Sequence, residues 1–226
     1  MLTTTTFDSK QTFPITKLEL YAKCPYKYFL AEILNVNLEE EVEVDITRRE
    51  MGMLLHLILK RFLLKIKSES RDFYAELNSN FMGLEKELFE IAQEEIEERK
   101  TIDPYFFLVE ESFLGSEQNN SVLTQFLKKE LLREEKLSPF DFETKLGTEI
   151  EVNDKDKIKL VGQFDRIDFN EKNGAIKVID YKTGNVPDKN DLRDGISLQL
   201  PLYLKLCADN FREKHSNLKL FDAEFF

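Results

Sequence analysis

The chain has 226 residues, a net charge of -11, and 42% hydrophobic residues including 19 phenylalanines, which is ample material for a globular core. The acidity excludes a generic basic nucleic-acid coat, so any DNA contact must run through a local basic patch or through cations that bridge phosphates. Cys24 and Cys207 are the only cysteines, and there is neither a signal peptide nor an apolar run of about 20 residues, which speaks against a disulfide framework and a membrane span and for a reducing cytoplasm.

Residues 1–15 read as a flexible lead-in, because MLTTTTFDSKQT is polar and aperiodic. Thr16 and Glu19 then fit a capping box, and LELYAKCPYKYFLAEIL carries apolar residues at helical spacing, broken at Cys24-Pro25 into two short helices. The EEEVEVD run that follows is a loop or short strand. RREMGMLLHLILKRFLLKIK is a strong amphipathic helix that puts His56 among Leu and Ile, on the same side as Gly52. A lone histidine in such a setting is more often a hydrogen-bonded core residue than a ligand. Residues 68–139 read as a helical insertion: GLEKELFEIAQEEIEERK closes on the stop signal TIDP, and a further helix runs through SVLTQFLKKELLREEK. Charge runs of this kind predict solvated helix faces.

Past Pro139 the period changes to that of strands. In FDFETKLGTEIEV, Glu143, Glu149 and Glu151 share one face; one of them could add to a metal site, but all three are expected to face solvent. KLVGQFDRIDF and GAIKVIDY, joined by NEKNG, predict an antiparallel hairpin. Asp180 and Lys182 are two apart and point the same way, and Tyr181 points to the other face. If the register brings Asp165 onto the face of Asp180, two carboxylates and a lysine converge as a site for a hard cation and its bound water. NVPDKNDLRDG is a loop by its composition, SLQLPLYLKLCADNFREK is a helix with Gln199 and Tyr203 at i and i+4, and KLFDAEFF begins another strand.

Together GMLLH, GQFDRID, VIDYKTG and SLQLPLYL, preceded by LELYAKCPYKYF, resemble the RecB/AddB-type nuclease domain of the PD-(D/E)XK superfamily, from about residue 15 to 206. A single DxK motif is weak, whereas five motifs in the family's order are specific. The resemblance implies an α/β fold with a restriction-endonuclease-like core, a central mixed sheet flanked by helices, over residues 16–226. It implies that Asp165 and Asp180 bind Mg²⁺ or Mn²⁺, with His56 and the main-chain carbonyl of Tyr181 as further metal ligands. Lys182 then orients or activates the attacking water, and Gln199 and Tyr203 lie along the groove and contact DNA. The implied activity is metal-dependent DNA exonuclease hydrolysis in DNA repair and recombination, with DNA and a helicase domain or subunit as partners. The chain has no GxxxxGK[ST] P-loop, so ATP hydrolysis would have to come from elsewhere.

In AddB-like members a cysteine at the place of Cys24 joins three C-terminal cysteines around an iron–sulfur cluster. The C-terminal triplet is missing here, so no iron–sulfur cluster is expected in this chain, Cys24 is expected to be a small buried residue, and the C-terminal end is expected to be truncated. Two rival functions remain at this point. One is a non-catalytic DNA-end-binding module that keeps the fold, and the other is a helical scaffold on which the hairpin aspartates merely flank a turn.

Overall fold

The computed structural model describes residues 12–36, 48–100, 106–116, 120–151, 157–170, 172–182, 186–212, 218 and 220–226. The EEEVEVD run, the TIDP stop signal, Thr183, Gly184 and residues 1–11 lie outside them. Strand β1 (Thr12–Pro14) leads into α1 (Ile15–Lys23), α2 (Pro25–Tyr28) and a π-helical turn (Phe29–Ile33). The helices α3 (Arg48–Ser68), α4 (Phe73–Ser79), α5 (Phe81–Lys100), α6 (Phe106–Leu114) and α7 (Val122–Leu132) come next. The strands β2 (Ser138–Glu151), β3 (Lys157–Asn170) and β4 (Ala175–Asp180) precede α8 (Lys189–Arg193), α9 (Gln199–Arg212) and β5 (Leu220–Phe225). No helix among the described residues is long and apolar enough to cross a membrane.

The expected α/β architecture is present: a central mixed sheet with helices on both faces, in the restriction-endonuclease-like arrangement. Strand β2 runs antiparallel along one edge of β3, from residue 157 to 169. The other edge is shared. β1 pairs in parallel with residues 159–161, and β4 pairs antiparallel with residues 166–170. The sheet therefore forks, and residues 162–165 of β3 lie in the fork between β1 and β4. All six residues of β4 are buried, as expected of a strand covered on both faces. The hairpin loop turns through Gly174, whose φ of 70° is the left-handed conformation that suits glycine.

Helix α3 buries Leu54, Ile58, Leu59, Phe62, Leu63 and Ile66, one stripe at helical spacing, against α4–α7 and against Phe142 and Ile179 of the sheet and the adjoining Tyr181. The opposite face packs α9, through Tyr203, Leu206, Cys207 and Phe211, on Leu160, Phe164, Ile167, Phe169, Ile176 and Val178. Even-numbered residues of β3 face α9 before Asp165 and odd-numbered ones after it, so the alternation changes phase at the fork. Across from it, Glu143 of β2 adopts φ 50°, strained for a residue with a side chain.

Several expectations change. Thr12–Pro14 is a sheet strand and Ile15 is 1% exposed, so the expected lead-in 1–15 reaches into the fold. No Thr16–Glu19 capping box forms, because α1 already begins at Ile15 behind Pro14. The acidic helices are not wholly solvated. Glu130 is fully buried beside Arg166, and Glu95 is buried between Arg61 and Arg99. The loop after residue 185 contains α8, closed by a capping box between Asp188 and Asp191.

Candidate active site

The fork opens into a cleft of about 820 Å³, lined by Thr16, Met53, His56, Lys60, Glu143, Lys145, Gly162, Gln163, Asp165, Asp180, Tyr181, Lys182, Gln199 and Tyr203. The hairpin register pairs Arg166 with Ile179, and one step further along puts Asp165 across from Asp180. Directly opposed residues of an antiparallel pair share a face, so those two carboxylates meet. Strand β5 fixes the end of β4, since Phe226 N–H donates to Asp180 O at 2.9 Å and Lys182 N–H donates to Phe226 O at 3.0 Å.

Asp180 is 4% exposed. Its Oδ1 accepts from Gln199 Nε2 at 2.7 Å. Lys182 Nζ forms a close ion pair with its Oδ2 at 2.6 Å. Gln199 Oε1 accepts from Lys182 Nζ at 3.0 Å, so one amide holds the acid and the lysine together. Burial, then the neighbouring Asp165 carboxylate, push the Asp180 carboxyl up to about 6; Lys182 and His56 oppose this.

On the other side, Asp165 Oδ2 accepts from Tyr181 N–H at 2.8 Å, and Oδ1 lies 3.3 Å from His56 Nδ1. His56 Nε2 donates to the Tyr181 carbonyl at 3.0 Å. Both ring nitrogens face oxygens, an arrangement that suits the imidazolium. Burial works against that charge, but the hydrogen bond and charge of Asp165 and the Tyr181 carbonyl outweigh it and raise the pKa above 6.5.

All the residues singled out from the sequence thus come together, although not all as pictured. His56 and the Tyr181 carbonyl bond to each other rather than standing as separate ligands. Among the described residues, no three His, Cys, Asp or Glu side chains converge as a metal shell. The oxygen donors of the site still suit a hard cation: Asp180 Oδ2, Asp165 Oδ1 and the Tyr181 carbonyl, which keeps a second lone pair beside its bond to His56. Gln199 and Tyr203 are buried at the cleft wall, with Gln199 Nε2 also donating to Tyr203 Oη at 3.0 Å. Tyr203 comes so close to β3 that a Cβ at Gly162 would lie 2.8 Å from its Cε1. Cys24 is half-buried rather than buried, and its Sγ accepts from Lys27 N–H at 3.4 Å to start α2. Burial drives the Cys207 thiol up to about 12.

Two contributors take places other than the expected ones. Glu19 of α1 accepts at Oε2 from Leu198 N–H and Gln199 N–H, at 3.0 and 2.9 Å, and so caps α9. Its position three residues after Thr16 pointed to a local cap, and only the fold reveals partners some 180 positions away. Glu143, expected to face solvent, lines the cleft, where its carboxylate accepts from Gln163 and lies 3.7 Å from Lys60. Its strained φ has no signature in the sequence.

Residues 12–224 match the PD-(D/E)XK nuclease superfamily. Relatives of the chain include one of the subunits of ATP-dependent helicase/deoxyribonucleases. It is 29% identical over 216 residues to that of Clostridium acetobutylicum, a match that covers 87% of this chain and 17% of that protein. It is 27% identical over 238 residues to the protein of the same name from Carboxydothermus hydrogenoformans, covering 97% and 20%, and 25% identical over 224 residues to that of Clostridioides difficile, covering 90% and 18%. The chain spans about a fifth of the length of these curated relatives. With the superfamily matched over nearly all of the sheet, the cleft and the helices around them, the chain belongs to the PD-(D/E)XK nucleases.

Proposed function

We propose that this chain is a metal-dependent deoxyribonuclease domain, an exonuclease working within a helicase–nuclease system in DNA repair and recombination. The carrying observation is the fork itself: Asp165 and Asp180 stand side by side there, with Lys182 against Asp180, at the floor of an open cleft. Asp165, Asp180 and the Tyr181 carbonyl would hold Mg²⁺ or Mn²⁺. The ion, when bound, supplies charge for a nonbridging phosphate oxygen and lowers the pKa of a bound water. Lys182, steadied by Gln199, orients that water. His56 holds the Tyr181 carbonyl and Asp165 in place. Gln199 and Tyr203 border the path of the DNA, and Lys60 and Lys145, which also line the cleft, offer cations to its phosphates. The names of the relatives support DNA as substrate and a helicase domain or subunit as partner.

A second reading, a DNA-end-binding module that cuts nothing, draws on the bond between His56 and the Tyr181 carbonyl, which occupies two of the expected ligands. Labelled linear and circular DNA, incubated with Mg²⁺ or Mn²⁺ and then with EDTA, separates the two. Metal-dependent loss of the linear form alone is the expected result. Cutting of circles would make the enzyme an endonuclease, and binding without cleavage under either metal would replace the catalytic reading by the second.

A further inference from the structure

Behind the cleft, on the face of the sheet that packs against α3–α7, lies a charge cluster with no access to water. Arg166, Glu130 and Asp168 are each 0% exposed. Arg166 Nε and Nη2 donate to the two oxygens of Asp168 at 2.5 and 2.7 Å. Nη1 and Nη2 donate to Glu130 at 2.9 and 3.3 Å, and Tyr74 Oη donates to Glu130 at 2.8 Å. The hydroxyls of Tyr74 and Tyr181 each accept from Arg166 at 3.4 Å. Every guanidinium N–H has an acceptor. Arg133 adds a second cation, 3.5 Å from Asp168.

Ion pairs of this kind are poor devices for stability, because desolvation takes back most of the Coulomb gain and an apolar replacement of like volume is often neutral or better. What the cluster does provide is geometry. Arg166 directly follows Asp165 in β3, and its other contact is the ring hydroxyl of Tyr181. The main chain of Tyr181 holds Asp165 through N–H and His56 through C=O. Glu130 and Tyr74 come from α7 and α4, so those two helices touch the strand that carries Asp165 through this guanidinium, while α3 reaches the site directly through His56.

We propose that Arg166, clamped by Glu130 and Asp168, is a positioning residue that sets the Asp165–Tyr181–His56 arrangement, and that α4 and α7 serve as its buttress. Its link to catalysis rests on the nuclease reading, but the positioning itself does not. The test is an apolar swap, Arg166→Met with Glu130→Leu, Asp168→Val and Tyr74→Phe, beside the single variant Glu130→Gln. Thermal unfolding is measured together with the NMR signal of the His56 Nε2–H, one of only two histidines in the chain. The expected swap melts within a few degrees of wild type, yet its His56 signal moves or broadens as the bond to Tyr181 loosens, and Mn²⁺ affinity falls about tenfold or more. A folded swap with an unchanged His56 signal and Mn²⁺ affinity overturns the proposal. If the swap does not fold, Glu130→Gln decides by the same two readouts. Wild-type protein that binds Mn²⁺ but does not cut DNA would sink the nuclease reading alone.

Discussion

Asp180→Asn, in protein stripped of metal with EDTA, should raise the melting temperature at pH 7.5. Asp180 is 4% exposed, faces Asp165, and is protonated near pH 6 rather than near 3.8. A carboxyl whose folded pKa is raised destabilises the fold when ionised. The penalty is full above about pH 6, shrinks as pH falls, and is gone below the unfolded value. A displacement of about two pH units corresponds to roughly 3 kcal/mol, which for a chain of this size is about 6–12 °C. Asparagine keeps the oxygen that accepts from Gln199, and Lys182, partly exposed, can swing outward. Differential scanning calorimetry from pH 8 to 4 should therefore show the variant ahead at high pH and the gap closing between 6 and 4. Mn²⁺ should reverse the order at pH 7.5, because only the aspartate holds the ion. A gap independent of pH, or a wild type that is already the more stable at pH 7.5 without metal, would refute the claim that Asp180 is held ionised at a cost.

Lys182→Ala should abolish cutting while shifting the melting temperature little, since the side chain serves the cleft and not the core; a variant that cuts at the normal rate removes Lys182 from the chemistry. Gly162→Ala drives a methyl against Tyr203, which is backed by Phe164 with ring centroids 4.5 Å apart. The overpacking costs ~1–3 kcal/mol, and Tyr203→Leu should relieve it, so a double-mutant cycle without coupling would count against the clash. Glu19→Ala leaves two N–H groups at the start of α9 without their acceptor and should lower stability by ~1–2 kcal/mol and slow cutting through Gln199; an unaltered rate in the folded variant would show that the cap does not reach the site.

Much of the fold follows from periodicity. Helix α3, the β3–β4 hairpin and α9 are long or strongly patterned, and their registers put Asp165 beside Asp180 and Gln199 beside Tyr203, as their spacing indicates. The three-residue strand β1 is too short to carry a pattern and exists because β3 offers it an edge. Glu130 sits in a run of lysines and glutamates that looks solvated on a helical wheel. Its burial depends on Arg166, 36 positions later in another element. The bond between His56 and Tyr181 joins residues 125 apart, and local chemistry carries no trace of it. The phase change in β3 is legible only once Phe164 and Ile167 are both found under α9.

The cap that Glu19 makes on α9 has a consequence for motion. Strand β1 is joined to the sheet by only three residue pairs, so a local opening that lifts it breaks few ladder bonds. When it lifts, α1 goes with it, Glu19 leaves the N-terminus of α9, and Gln199 loses the anchor that keeps its amide between Asp180 and Lys182. The readiness of the site to act is thus a population, set by the adhesion of a short arm far away in sequence. The amide protons of Leu198 and Gln199 would exchange with solvent in proportion to the fraction of time that arm is open.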